Sequence, residues 1–213
     1  MLLCILLSGC GGEPPLHTPL RISIIGDSYT TGSAMGGYGD RNWTKILRSE
    51  LWATHGIALQ TQTLAAGGSG YVKRGIDGTR FADDGALVHP RSQVVIVFGS
   101  RNDIAAAGAV GNAADDVYSA IRARVPDAKL LVVGAPWVDG AVPEPISTIN
   151  SELATEAEVA GAEFADPAAA NWLAGGATQA VGADGIHPTD YGHRLIAAHM
   201  EHLLLRVTSG IER

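Results

Sequence analysis

Serine, histidine and aspartate occur in this sequence at positions that would suit nucleophilic chemistry. Ser28 ends the turn Gly26-Asp27-Ser28, directly after a β-branched run over 21–25. Asp184 and His187 stand three residues apart, far along the chain. A hydroxyl, an imidazole that accepts its proton and a carboxylate that orients the imidazole are the groups needed to cleave an ester. The sequence predicts Ser28 as nucleophile, His187 as general base and Asp184 as its orienting group.

Ester cleavage also needs hydrogen-bond donors for the negative oxygen that forms in the transition state. Two further polar segments could supply them. Gly67 opens a glycine-rich run over 67–70, and its N–H has no side chain to block the approach of a substrate. Asn102 lies in the segment 99–103 and offers a side-chain N–H. We expect both residues beside Ser28.

Each of these segments also has a plainer interpretation. Gly-Asp-Ser is a common turn, and the residues from Asp184 to Pro188 would suit the cap of a following helix. Asp184, His187, Asp190 and His193 together could be imagined as metal ligands. We expect Asp190 and His193 on the outward side of the helix, and therefore predict no metal and no other cofactor. Asp27 and Asp103 are expected to hydrogen-bond the backbone of nearby loops.

Apolar patterns place these segments on alternating strands and helices. Strands are predicted over 21–25, 57–64, 93–98, 129–134 and 163–165, and helices over 43–55, 112–125, 145–161 and 189–207. This alternation indicates one parallel sheet between layers of helices. Three polar segments follow predicted strands and the fourth precedes the last helix. They should therefore meet at the carboxyl edge of the sheet, where such folds bind ligands.

Taken together, the segments resemble the four sequence blocks of the SGNH, or GDSL, hydrolase family. Gly26-Asp27-Ser28-Tyr29-Thr30-Thr31-Gly32 matches the first block with Tyr29 in place of the usual Leu, and Asp184-Gly185-Ile186-His187-Pro188 matches the last. Gly67 aligns with the second, in which Ala65 replaces a frequent Asn. The third block, G-x-N-D, fits if Ser100 stands in the glycine position or if the loop is one residue longer. The G-x-S-x-G elbow of the α/β-hydrolases is absent.

The resemblance covers residues 20–207 and implies a flavodoxin-like, three-layer α/β/α sandwich with a central parallel sheet of about five strands. It implies that Ser28 forms an acyl-enzyme with His187 as general base and then acid. It also implies an oxyanion hole made of the Ser28 and Gly67 N–H groups and the Asn102 side chain.

Three other residues are candidates for the substrate pocket. Tyr29 and Trp137 would suit pocket walls, although either could equally be a packing residue. Arg101 could orient its loop by pairing with an acidic neighbour or could meet an anionic group of the substrate, and we favour the structural role.

Composition supports a folded domain and argues against one class of partner. The chain has 213 residues, of which 46% are hydrophobic and 17% charged. This length and composition fit a single domain with a sizeable core. The formal net charge is −7 and no run of Lys or Arg offsets it. Since such a balance repels phosphate backbones, we predict no binding to nucleic acid.

The first residues have the pattern of an export segment. A short apolar run over 2–7 is followed by Ser8-Gly9-Cys10, which resembles the bacterial lipoprotein signal. We therefore predict a signal and tail over 1–19, a hydrolase domain over 20–213, and a lipid anchor on Cys10 as the only membrane attachment. No Lys or Arg precedes the apolar run, so plain secretion and a cytoplasmic chain remain alternatives.

These observations favour serine-dependent hydrolysis of carboxylic esters, with a small-molecule or glycan ester as substrate. Within the same family, the alternative is a carbohydrate O-deacetylase. The rival class is a non-catalytic module in which the same crevice holds a glycan or an acyl chain without turnover.

Overall fold

A computed structural model describes residues 18–138, 141–173 and 177–211, and within them a five-stranded parallel sheet. Its strands are β1 (Leu20–Gly26), β2 (Leu59–Ala65), β3 (Val94–Phe98), β4 (Lys129–Val133) and β5 (Glu163–Ala165). Their order across the sheet is β2-β1-β3-β4-β5, and every neighbouring pair is parallel. This is the flavodoxin-like order, in which the chain changes direction at β1 and β3. The predicted fold is confirmed.

Helices cover both faces of this sheet. They are α1 (Ser28–Thr31), α2 (Trp43–His55), α3 (Phe81–Gly85), α4 (Val110–Arg124), α5 (Glu144–Val159), α6 (Ala177–Ala180) and α7 (Asp190–Val207). Alternate residues of β1 and β3 point to opposite faces, as the pleat of a strand requires. Ile24 and Ile96 pack with α2 and α7, whereas Ile25 and Val97 pack with α4 and α5. The two cores explain why β3 is apolar throughout.

Helix ends follow from capping side chains. The Asn42 side chain accepts the Thr44 N–H at 3.0 Å and begins α2, which ends at Gly56 in the left-handed region (φ 66°). Thr189 caps α7 by accepting the Gly192 N–H at 3.2 Å. These caps fix the direction of each helix relative to the loop before it.

Most predicted elements lie within two residues of the observed bounds. The predicted helix over 43–55 and strand over 163–165 match the structure. The short helices α1, α3 and α6 and a 3₁₀ segment, Arg101–Ala109, were not predicted. The three helices have only four or five residues, too few for an apolar stripe to reveal them. The 3₁₀ segment has nine residues but is interrupted by the non-helical backbone of Ala106.

Residues 1–17 lie outside the described part of the chain, so the export segment and the lipid anchor on Cys10 stay predictions. The domain boundary at residues 19 and 20 stays a prediction as well, although β1 begins at Leu20. Among the described residues, no helix is both long and apolar enough to cross a bilayer.

Candidate active site

Ser28 lies at the tight junction between β1 and α1. Asp27 caps the single turn of α1 by accepting the Tyr29 N–H at 2.8 Å, which makes Ser28 its first residue. The turn needs glycine at position 26, because a Cβ there would lie 2.3 Å from Oγ1 of Thr30. Ser28 is half-buried, with its hydroxyl above the carboxyl edge of the sheet.

The loop over 182–188, which we call the base loop, carries Asp184 and His187. Oδ1 of Asp184 accepts the backbone N–H groups of Ile186 (2.9 Å) and His187 (3.0 Å). Its Oδ2 lies 2.7 Å from Nδ1 of the His187 ring. One carboxylate therefore shapes the loop and orients the ring.

A chain of hydrogen bonds links the three predicted residues. Nε2 of His187 lies 3.0 Å from Oγ of Ser28, within reach for proton transfer. Because Asp184 accepts from Nδ1–H, Nε2 is left as the acceptor for the serine hydroxyl. Partial burial raises the pKa of Asp184, but hydrogen bonds from the His187 ring and from the His187 and Ile186 N–H groups bring it down to about 2. The carboxylate therefore stays charged at neutral pH.

Two backbone donors face the same region. β1 and β2 are in register from Leu20↔Leu59 to Gly26↔Ala65, which places Ser28 and Gly67 each two residues beyond paired strand ends. Neither N–H donates to an acceptor in the described part of the chain. The nearest protein atom to a Cβ built on Gly67 is 3.7 Å away, so packing does not require glycine there. Both N–H groups are available to a substrate oxygen.

Asn102 reaches the site, but its amide is already engaged. Nδ2 donates to Oδ2 of Asp27 (3.1 Å) and to the carbonyl oxygen of Ser69 (2.8 Å). The side chain thus ties together the loops that follow β1, β2 and β3. To act as a third oxyanion donor, it must share or exchange one of these bonds. Sequence reasoning missed the contact with Ser69, although this residue stands in the same glycine-rich segment as Gly67.

Two buried carboxylates complete this tie between loops. Asp27 is 1% exposed, and burial raises its pKa to about 7, although the Tyr29 N–H opposes the shift. Asp103, also 1% exposed, accepts the N–H groups of Tyr71 (2.8 Å), Val72 (3.2 Å) and Lys73 (2.8 Å). Both residues bond the backbone of neighbouring loops, as expected.

The backbone conformation of Ser100 favours one of the two alignments of the third block. Ser100 has φ 103°, in the left-handed region that favours glycine. It therefore stands in the glycine position of G-x-N-D, with Arg101 at x. Its hydroxyl lies 3.0 Å from Oδ2 of Asp103, which helps to hold this conformation.

The structure distinguishes between the alternatives for the three pocket candidates. Tyr29 is not a pocket wall, because it is 1% exposed and packs edge-on against Phe98. Its hydroxyl donates to the carbonyl oxygen of Ile186 and so connects α1 to the base loop. Trp137 is half-buried beneath Arg101, whose Cζ lies 4.4 Å from the centre of the indole. Arg101 therefore contacts two aromatic side chains, Tyr29 and Trp137. The favoured interpretation had been that it pairs with an acidic neighbour.

The expectation that Asp190 and His193 point outward was wrong. His193 is fully buried beneath Gly37, where a Cβ would lie 1.9 Å from its Nε2. Asp190 accepts the Gly37 N–H at 2.9 Å and pairs with Arg41 at 2.9 Å. The start of α7 packs against the loop that follows α1, which a single amphipathic stripe does not reveal. Among the described residues, no three His, Cys, Asp or Glu side chains form a cluster that could hold a metal ion.

A cavity of about 520 Å³ lies away from this site, beside α2 and the beginning of β2. It is lined by Asp40, Lys45, Arg48, Ser49, Trp52, Ala58 and Leu59. None of these residues takes part in the hydrogen bonds around Ser28. The candidate site is therefore placed at the side chains that can transfer a proton, and not at this cavity.

Comparison with known proteins gives consistent results. Residues 24–195 match the model of the GDSL-like lipase/acylhydrolase family. The chain is 36% identical over 204 residues to a GDSL lipase of Mycobacterium tuberculosis, which covers 90% of this chain and 87% of that protein.

Solved structures share the fold at lower identity. A lipase/acylhydrolase from Enterococcus faecalis has a TM-score of 0.70 and 15% identity, covering 86% of this chain and 94% of its own. A psychrotrophic esterase from a Pseudoalteromonas species, solved in a form inhibited by monoethylphosphonate, has a TM-score of 0.68 and 15% identity, covering 88% and 97%.

Proposed function

The chain belongs to the GDSL-like lipase/acylhydrolase family and is an ester hydrolase, and from that premise we propose that Ser28, His187 and Asp184 carry the reaction through an acyl-enzyme. The observation that supports this assignment is the continuous hydrogen-bonded series from Oγ of Ser28 to Nε2 of His187 (3.0 Å) and from Nδ1 to Asp184 (2.7 Å).

The reaction follows from these positions. Oγ of Ser28 attacks the ester carbonyl carbon while Nε2 of His187 takes the hydroxyl proton. The carbonyl oxygen becomes negative and receives hydrogen bonds from the Ser28 and Gly67 N–H groups. The tetrahedral intermediate collapses, the C–O bond to the alcohol breaks, and His187 gives its proton to the leaving oxygen. A water molecule then repeats the cycle on the acyl-enzyme, releasing the carboxylic acid and restoring the Ser28 hydroxyl.

Asp184 acts without losing its charge. It holds Nδ1–H, so that the ring accepts at Nε2, and it stabilises the imidazolium that forms during the attack. Its low pKa, about 2, fits this role, because a carboxylate that stayed protonated near neutrality could not do so.

The test is turnover of short p-nitrophenyl esters and labelling by a fluorophosphonate probe. We expect Ser28→Ala to lower kcat by about 10⁴-fold or more and to abolish labelling, since residues that act as a unit lose nearly all of their contribution together. The exposed Ser119→Ala is the matched control and should keep both.

Comparable turnover by Ser28→Ala and the wild type would refute the nucleophile. Saturable binding of a glycan or acyl ligand without turnover or labelling would instead support the non-catalytic alternative. Comparing acetylated sugars with longer acyl esters in the same assay separates a carbohydrate O-deacetylase from a lipid or simple-ester hydrolase.

A further inference from the structure

Arg101 brings a positive charge to the edge of the candidate site. It stands in the loop after β3, one residue before Asn102, and is half-buried. Its Nη1 lies 3.4 Å from the hydroxyl oxygen of Tyr29, which follows Ser28 in the chain. That same hydroxyl donates to the carbonyl oxygen of Ile186, the residue before His187. The guanidinium therefore sits next to the connection between the nucleophile's helix and the base loop.

The guanidinium is held by neutral partners. Its Cζ lies 4.4 Å from the centre of the Trp137 ring, a cation–π contact that fixes the plane of the group. The Tyr29 hydroxyl oxygen accepts one N–H of Arg101, and the hydroxyl proton is donated to the carbonyl oxygen of Ile186. Most of the guanidinium donors have no acceptor among the described residues, and their planar fork matches a carboxylate or phosphate.

No carboxylate in the described part of the chain lies within 4.0 Å of Arg101. Other arginines do pair: Arg41 with Asp190 and Arg74 with Asp83. Of the site's own carboxylates, Asp184 is bound to the His187 ring and Asp27 to the Asn102 amide. What distinguishes Arg101 is its position: it is half-buried at the candidate site, and in the described part of the chain only neutral groups contact its guanidinium.

We propose that Arg101 forms an anion subsite, through which the enzyme prefers esters that carry a carboxylate or another anionic group near the scissile bond. A half-buried guanidinium has lost part of its hydration, and a bidentate anion would replace it with charge-assisted hydrogen bonds. The inference rests on the proposed function, because it names the class of ester that the Ser28 site takes.

The experiment measures kcat/KM on two matched pairs of esters. p-Nitrophenyl hemisuccinate against p-nitrophenyl butyrate places the charge on the acyl side, and 4-acetoxybenzoate against 4-acetoxybenzamide places it on the alcohol side. The variants are Arg101→Gln, Arg101→Lys and Arg194→Gln. Arg194 is the matched control, because it is exposed and also lies over an aromatic ring, that of Tyr191, at 5.4 Å.

In at least one pair, we expect Arg101→Gln to lower the ratio of anionic to neutral kcat/KM by about 10-fold or more, the usual effect of one charge-assisted bond. Arg101→Lys should give an intermediate ratio, because it keeps the charge and loses the fork. Arg194→Gln should stay within about twofold of the wild type. The wild-type preference should also fall as salt is added.

An unchanged ratio in both pairs, or an equal loss on the charged and neutral members, would overturn the subsite and leave Arg101 a structural residue. If Arg101→Gln does not fold, the ratio in Arg101→Lys decides by the same criterion. Failure of the proposed function looks different: no ester is turned over faster by the wild type than by Ser28→Ala, and the inference falls with it.

Discussion

The two sides of Ser28 are built in different ways. On one side, the base loop presents side chains of Asp184 and His187 that are 33% and 26% exposed. On the other side lies what we call the cradle, the loops after β1, β2 and β3 joined by Asp27, Asn102 and Asp103, in which both carboxylates are 1% exposed. The Asp184 carboxylate bonds groups only two and three residues away, whereas the cradle joins residues about 30 to 75 positions apart.

This difference corresponds to two tasks. The base must pass protons to and from a leaving group and water, so its ring needs access to the crevice. The oxyanion donors must already point at the oxygen when charge develops, so the loops that carry them need to be fixed beforehand. Substitutions in the base loop should therefore lower the rate with little effect on folding, and substitutions in the cradle should lower stability.

Among the substitutions that test this comparison, Asp184→Asn has the largest expected effect. The amide would place an N–H group against Nδ1 of His187 and favour the tautomer with a proton on Nε2, which cannot accept from Ser28. We expect kcat to fall about 10³–10⁴-fold while the thermal unfolding midpoint stays near that of the wild type. Ester kinetics and a melting curve on the same preparation test this.

Asp127→Asn, an exposed carboxylate just before β4, is the control and should change neither quantity. If Asp184→Asn lost stability instead of rate, the proposed division between base loop and cradle would be wrong.

The next effect is that of Asp103→Ala. This substitution leaves the N–H groups of Tyr71, Val72 and Lys73 without their acceptor inside the cradle. We expect the free energy of unfolding to fall by about 3 kcal/mol, because a buried donor left unsatisfied costs about 1–3 kcal/mol and two part-buried donors add to the loss. Urea unfolding measures it. The exposed Asp115→Ala should change it by less than about 0.5 kcal/mol, and equal losses in the two variants would contradict the role of the cradle.

The smallest effect concerns pH and His193, which is buried between α7 and Gly37. Burial lowers its pKa from 6.5 to about 4, despite the opposing charge of Asp190. The unfolded chain therefore binds this proton below pH 6.5 while the folded chain does not, so stability falls as the pH drops from about 6.5 towards 4.

Between pH 7 and pH 5 we expect His193 to account for a loss on the order of 2 kcal/mol. Urea unfolding at the two pH values should show a shallower dependence in His193→Gln than in the wild type, whereas the exposed His202→Gln should keep the wild-type dependence. An equal dependence in all three proteins would show that His193 protonates as easily folded as unfolded.

Much of the fold could be predicted because its signals are local. A buried run such as Val94–Phe98 or the spacing of Trp43, Leu47 and Leu51 indicates an element by itself. Once strands and helices alternate, the parallel sheet and the meeting of loops at its carboxyl edge follow. The hydrogen-bonded series of Ser28, His187 and Asp184 could be proposed for the same reason. Asp184 and His187 are close in sequence, and Ser28 follows a clear strand.

What could not be predicted depends on packing between distant segments. Tyr29 looked like a pocket wall, but its ring fills the space beside Phe98. His193 looked solvent-facing, because nothing in α7 alone shows that Gly37 lies against it. The amide of Asn102 was expected to point at the substrate, but its direction is set by Asp27 and Ser69, residues of two other loops.

The separation of 159 positions between Ser28 and His187 has a consequence for synthesis. The serine is translated early, and its histidine arrives only after all five strands have been made. A partly made chain thus has no base beside its hydroxyl and cannot attack esters while it emerges. Recovery of ester turnover during refolding would then report the docking of the base loop beside Ser28, which closes a loop of 159 positions.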